Sequence, residues 1–225
     1  MKNIVITGGS DGIGEALAKA LSSDFHVTLL ARNTDKLEQL SKEIGCDFSV
    51  CDIRKYEDVK RAFDEIKSRH ELVDILINNA GVIVNGDLTE TPYDTIEDVM
   101  STNAMGTIFV TKACLEIMKP QKSGLIINVI SQAGITAKPY RSVYNASKWA
   151  LTGFTKAIQE EACEYGVRVT GFYPGTVSTK LFEKAGLDIH GAALDTAQIV
   201  KTLRFVIDSD DSMLFPELGV KPFAN

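Results

Sequence analysis

Long apolar runs, paired cysteines and an excess of positive charge are all missing from this 225-residue chain. No apolar stretch approaches the ~18 residues of a membrane span. The four cysteines, Cys46, Cys51, Cys114 and Cys163, form no C-x-x-C pair, which argues against a zinc ribbon or a dithiol redox motif. Cys46 and Cys51 flank one expected strand and read as buried free thiols. His26, His70 and His190 are scattered along the chain, so no metal site is expected. Lysine and arginine total 24 against 30 acids, and the resulting net charge of −6 leaves no footprint for nucleic acid or an anionic membrane. The chain enters a strand at once, without a charged and then apolar leader, so no secretory signal is expected and a reduced cytoplasmic setting fits best. Repeats, low-complexity segments and linkers are also lacking.

What is present is regular alternation. Short apolar runs at 2–7, 26–31, 47–51, 74–78, 124–130 and 167–172 read as buried parallel strands. Helical stretches are expected near 12–23, 34–44, 56–69, 93–119, 142–165 and 195–208, and a last strand near 212–220, where Pro216 would disturb pairing unless it sits at an edge or bulge. Thr34 is the expected N-cap of the second helix, Gly45 its C-terminal stop, and Pro120 the end of the long helix. Right-handed crossovers then give an α/β fold: a single-domain, doubly wound parallel sheet with helices on both faces. Ligands in such folds bind beyond the carboxyl ends of the strands.

Two segments carry chemistry. After the first strand comes Thr7-Gly8-Gly9-Ser10-Asp11-Gly12-Ile13-Gly14, followed by a helix. Strand, glycine-rich turn and helix N-terminus together make a cradle for a pyrophosphate: backbone can approach closely, and free N–H groups and the positive dipole end face the anion. Farther on, Tyr144 and Lys148 are four apart, on one helix face. A phenol titrates near 10, and a neighbouring ammonium is expected to lower that value toward useful acid–base work. Ser131 supplies a hydroxyl that could hold a reacting carbonyl oxygen.

Together these segments resemble the short-chain dehydrogenase/reductase family, an NAD(P)-dependent Rossmann-type group. Its T-G-x-x-x-G-x-G pattern stands as Thr7, Gly8, Gly12 and Gly14, and its N-N-A-G segment as Asn78-Asn79-Ala80-Gly81. Its helical asparagine matches Asn103. Its N-x-S-S-x-x-G segment is Asn128 to Gly134, with Ile130 in place of the first serine, and its P-G-x-V-x-T segment is Pro174 to Thr179. The resemblance implies hydride transfer between nicotinamide and a small carbonyl or alcohol substrate. Tyr144 would move the proton, Lys148 would tune it and bond the nicotinamide ribose, Ser131 would orient the substrate oxygen, and Asn103 would hold a water. The cofactor would touch Gly8, Ser10, Asp11, Gly12, Ile13, Gly14, Arg32, Asn33, Asp52, Ile53, Asn79, Ala80, Gly81, Tyr144, Lys148, Pro174, Gly175, Val177 and Thr179.

Cofactor choice turns on the end of the second strand. Ala31 occupies the usual acidic place and Arg32 follows, so a 2′-phosphate would be paired rather than repelled, and NADP(H) is expected over NAD(H). Asp11 is a mild contrary sign. Candidate pocket residues are Val82, Ile83, Tyr140, Trp149, Tyr173 and the 180–193 segment with Leu181, Phe182, Lys184 and Leu187, which is expected to act as a lid. The mixture suggests a moderately apolar carbonyl compound, with any anionic group near Lys184 or Arg141. A catalytically silent dinucleotide-binding sensor is the alternative, but such relatives typically lose the Ser, Tyr or Lys. A homodimer through the 93–119 and 142–165 helices is expected, from the family's habit and from Trp149, Leu151, Phe154 and Ile158. Many relatives finish with a D-G-G segment that helps build a tetramer, and its absence here puts a tetramer in doubt while leaving the dimer untouched.

Overall fold

In a computed structural model, which describes residues 1–189 and 191–223, seven strands form one parallel sheet. They are β1 Lys2–Thr7, β2 Phe25–Ala31, β3 Asp47–Val50, β4 Ile75–Asn78, β5 Gly124–Val129, β6 Val167–Pro174 and β7 Glu217–Val220, in the order β3-β2-β1-β4-β5-β6-β7. The register aligns Ile4 with Val27 and Ile75, and Ile127 with Ile77 and Thr170. Side chains alternate across the pleat, so Ile4 and Ile6 enter one core while Val5 enters the other. Helices α1 Gly12–Leu21, α2 Thr34–Ile44 and, later, α8 Thr196–Ile207 close the first core. Helices α3 Tyr56–His70, α4 Tyr93–Met100, α5 Thr107–Gln121 and α6 Ser142–Cys163 lie on the other face; α7 is the short Lys180–Lys184 helix.

Several boundaries correct the sequence expectations. The N-cap of α2 is Asn33, whose Oδ1 accepts from Lys36 N at 2.9 Å; Thr34 is already the first helical residue. Gly45 does end that helix, at φ 68°. The long 93–119 helix is broken by a π-helical turn at Ser101–Gly106. Gly106 fits there because a Cβ on it would lie 2.7 Å from Ile53 Cγ1. Pro120 does not close α5 but sits inside its last turn, and the helix stops at Lys122, φ 54°. The last strand is shorter than 212–220. Pro216 stands just before it and disturbs nothing, since its carbonyl accepts from Gly171 N at 3.0 Å.

Two of the three histidines are neighbours. The His26 and His70 rings stack at 5.8 Å, and His70 Nε2 meets Asp47 Oδ2 at 2.8 Å. His190 lies outside the described residues. Among the described residues no group of three or more His, Cys, Asp or Glu is placed to hold a metal, and no helix is long and apolar enough to cross a membrane. Cys46, Cys51 and Cys114 are buried free thiols, whereas Cys163 is exposed.

Candidate active site

The glycine turn links β1 to α1 at the carboxyl edge of the sheet. Gly8 has φ 66°, and a Cβ there would lie 2.8 Å from Ala80 Cα; one on Gly14 would lie 2.3 Å from Gly8 O. No other residue fits these two places without moving backbone. Asp11 caps α1, accepting from Gly12 N at 2.8 Å. The next first-turn N–H groups, on Ile13 and Gly14, have no hydrogen-bond acceptor among the described residues. They lie at the positive end of the helix dipole, where an anionic ligand is favoured. The Thr7 hydroxyl fastens the following segment here, accepting from Asn79 N at 3.0 Å and Ala80 N at 3.1 Å. Thr179 approaches from β6, its Cβ 3.4 Å from where a Gly12 Cβ would be.

At the end of β2, Ala31 is buried and Arg32 exposed. Arg32 makes no ion pair among the described residues. Asp11, the contrary sign, meets Lys36 Nζ at 3.1 Å, so a cation from α2 offsets its charge. Asn33 is committed to capping α2. Asp52 is gripped by Arg54, with Nε at 2.9 Å from Oδ1 and Nη2 at 2.5 Å from Oδ2, and Arg54 also reaches Asp98. These hydrogen bonds hold the Asp52 carboxyl below its ordinary range despite partial burial.

Tyr144 and Lys148 lie on one face of α6, with Nζ 5.9 Å from the phenol ring centroid. Both are buried. Lys148 Nζ donates to Val129 O at 3.3 Å, and burial lowers its pKa to about 8. Burial pushes the Tyr144 phenol up, and a hydrogen bond with Ser131 and the charge of Arg141 offset only part of that rise. The expected lowering is therefore not found: desolvation is the largest cause, and it disfavours the charged forms of both groups. Ser131, two residues beyond β5, has φ 153° and ψ 159°, a region that suits glycine. Asn145, beside the tyrosine, clamps the Ser131 turn to α6 by donating to Ala133 O at 2.9 Å and Thr136 O at 2.7 Å. Asn103 stands in the π-helical turn. Its Nδ2 donates to Val82 O and Ser147 Oγ, both at 2.9 Å, and its Oδ1 accepts from Val82 N at 2.8 Å. It thereby ties the segment following β4 to the helix of Tyr144 and Lys148.

Comparison with known proteins agrees with this geometry. The short chain dehydrogenase family model matches residues 2–189. This chain belongs to the short-chain dehydrogenase family. An uncharacterized oxidoreductase of Staphylococcus saprophyticus is 30% identical, covering 98% of this chain and 97% of its own. A human 3-oxoacyl-[acyl-carrier-protein] reductase is 33% identical over 80% of this chain and 77% of its own. Among solved structures, an alcohol dehydrogenase from the archaeon Thermococcus sibiricus, complexed with 5-hydroxy-NADP, superposes with TM-score 0.88 at 28% identity, covering 98% of this chain and 96% of that one. An actinorhodin polyketide ketoreductase with NADPH gives 0.88 at 25% identity, covering 98% and 95%. The protein is thus a dehydrogenase/reductase.

In this short-chain dehydrogenase the expected pocket residues divide. Tyr173 is 2% exposed and packs with Ile130 and Leu151 inside the protein, so it does not line the cleft. Ile83 is buried, Val82 half-buried, and Trp149 and Tyr140 exposed. Leu181, Phe182 and Leu187 are half-buried. The 180–193 segment is pinched at its base, where Ser178 N donates to Leu194 O at 2.8 Å and Leu194 N to Thr176 O at 2.9 Å. Of the apolar residues expected on a second face of α6, Leu151 and Ile158 serve the protein's own core, Phe154 is half-buried and only Trp149 is exposed. Sequence reasoning missed Asn145 and Lys36. Their roles depend on a turn and a helix meeting in space, and neither carries a local signal.

Proposed function

We propose that the chain is an NADP(H)-preferring oxidoreductase that interconverts carbonyl and alcohol groups through Tyr144, Lys148 and Ser131. The observation that carries this reading is the buried Lys148, whose Nζ meets Val129 O at 3.3 Å and no carboxylate among the described residues. A buried ammonium needs more partners than one carbonyl, and ribose hydroxyls would supply them. The glycine turn fits the rest of a dinucleotide, with two first-turn N–H groups for the pyrophosphate and Arg32 for a 2′-phosphate. When bound, the nicotinamide supplies or accepts the hydride.

The chain's own residues manage position and proton. Ser131 holds the substrate oxygen beside the Tyr144 hydroxyl. In reduction Tyr144 gives its proton to that oxygen as it gains charge, and in oxidation it takes the proton back. Burial keeps the phenol protonated, which suits it as the acid. Lys148 steadies the phenolate left behind, and Asn103 keeps Lys148 and the 79–82 segment in register. Residues 180–193 form a lid hinged at the pinch between 176 and 194. Slow amide exchange across the lid in the free protein would count against it. Trp149 and Met105 are 51% and 46% exposed on the α5–α6 side, where a second copy would cover them in a homodimer; light scattering that gave a single-chain mass at micromolar concentration would overturn this.

The test is cofactor consumption with NADPH and NADH across aldehydes, ketones, keto esters and sugars. Faster turnover with NADPH is expected. No consumption with any carbonyl compound, despite bound cofactor, would sink the assignment.

A further inference from the structure

The seven arginines sort into two groups. Arg54, Arg61, Arg69, Arg168 and Arg204 each meet at least one carboxylate. Arg32 and Arg141 meet none among the described residues. These two stand at the carboxyl edge of the sheet, one after β2 and one immediately before α6. An arginine left without an acid in a cleft is what an anionic ligand requires. Arg32 already has a candidate in the cofactor phosphate. Arg141 has none.

Arg141 is the residue that leads into α6, with non-helical backbone at φ −129° and ψ 25°, and it stands three positions before Tyr144 at that helix's N-terminal end. The guanidinium is half-buried and anchored on one side only: Nε donates to Asn85 Oδ1 at 3.3 Å. The segment carrying it is tied to the same loop, because Gly86 N donates to Tyr140 O at 2.8 Å. Tyr140 adopts φ 61° to make that contact, a conformation that disfavours side-chain-bearing residues. The far nitrogens, Nη1 and Nη2, form no hydrogen bond with the described residues. Between Ser131 and Tyr144 the chain has Lys138 and Arg141 and no acid. Asp87, on the facing loop, is turned to its own helix cap, accepting from Thr89 N at 2.9 Å.

We propose that Arg141 is a specificity-determining residue, and that the substrate is a carbonyl or alcohol compound bearing a carboxylate. With Nε held by Asn85, the Nη1 and Nη2 pair can take both oxygens of the carboxylate end-on, which fixes the carbonyl beside Ser131 and Tyr144. This rests on the function proposed above. Its positive charge also reaches the Tyr144 phenol, in keeping with a place at the mouth of the same cleft.

The test compares oxohexanoates with their methyl esters, using NADPH and the full chain. The wild type should favour the acids. Arg141→Met should lower kcat/KM for the acids about 10- to 100-fold more than for the esters, mainly through KM, as expected for a lost charged hydrogen-bond pair. Arg141→Lys should recover part of the difference, because it restores the charge without the fork. Equal losses on acid and ester, or a wild type that favours the esters, would overturn the proposal while leaving the oxidoreductase reading intact. A second arm needs no turnover. Hexanoate binding to the NADP⁺-loaded protein, followed by calorimetry, should weaken at least about tenfold in Arg141→Met. Unchanged binding, or none to the wild type, also overturns it, even if no carbonyl compound is reduced.

Discussion

The two edges of one sheet are built on opposite terms. At the amino ends of the strands most polar groups find partners, although Asn3 Oδ1 is buried without one. Asn3 N donates to Asp74, His70 meets Asp47, Arg168 meets Asp211, and Gln121 bridges Val73 and Ser123. At the carboxyl ends lie a buried lysine with one carbonyl, a serine in a glycine-like conformation, helix N–H groups without acceptors, and the two arginines that meet no acid. Neighbouring strands are parallel, so each delivers the loop or helix N-terminus that follows it to the carboxyl edge. Local rules broken together at one edge mark where a ligand completes the structure. Each prediction below changes one side chain at this edge and asks what the site loses.

The largest effect is expected at Tyr144. Tyr144→Phe removes the proton and keeps the ring, so cofactor binding should stay nearly intact while turnover falls at least ~10²-fold, the usual scale for a lost general acid. Equal turnover in variant and wild type would end the assigned role.

Lys148 gives the sharpest contrast between function and stability. Its pKa of about 8 lies below the ordinary 10.5, so the folded state disfavours the charged form. Below pH 8 the lysine is charged in folded and unfolded chains alike, and the full cost is present. Between 8 and 10.5 the folded chain has released the proton and the unfolded chain has not, so stability rises with pH. Above that window the cost is gone. Lys148→Met should therefore abolish most turnover yet stabilise the free protein by as much as ~3 kcal/mol at neutral pH, at roughly 1.4 kcal/mol per pH unit. The gap between variant and wild type should close across the window. Denaturation curves that show no gain at neutral pH would mean that Lys148 is better satisfied than its single carbonyl suggests.

The adenosine end offers the next comparison. Arg32→Ala should weaken NADPH by roughly 1.5–3 kcal/mol, the range for a charged hydrogen bond, and leave NADH nearly unchanged. Calorimetry that gave equal losses would remove Arg32 from the phosphate site and with it the preference for NADP(H).

How much of this was legible beforehand depends on the range of the cause. Six strands and the glycine turn follow from short apolar runs and local turn chemistry, and all lie close to where the sequence places them. The spacing of Tyr144 and Lys148 is a property of one helix and was equally readable. The π-helical turn at Ser101–Gly106 was not, and the close contact of Gly106 with Ile53 from another crossover is likewise tertiary. Tyr173 looked like a pocket residue because strand alternation gives its face but not its neighbours; Ile130 and Leu151 enclose it. The direction of the Tyr144 pKa was misread for a related reason. A charge four residues away is visible in sequence, whereas the burial that raises the phenol comes from the whole fold.

The smallest effect is the most specific to the edge. Ser131 holds φ 153° and ψ 159°, where a residue with a Cβ carries about 1–3 kcal/mol of strain. Its hydroxyl accepts from Ala133 N at 3.1 Å, a bond that alanine and glycine both lose. Ser131→Ala loses the hydroxyl and keeps the strain. Ser131→Gly loses both, at an added unfolded-state entropy cost of up to ~1 kcal/mol. Neither variant should reduce carbonyl compounds efficiently, yet the glycine variant should be the more stable by roughly 1 kcal/mol, read from paired denaturant titrations with equal slopes. If alanine is as stable as glycine, the strain at Ser131 does no more than match the entropy cost of glycine. The contrast between the edges would then rest mainly on unmatched charge.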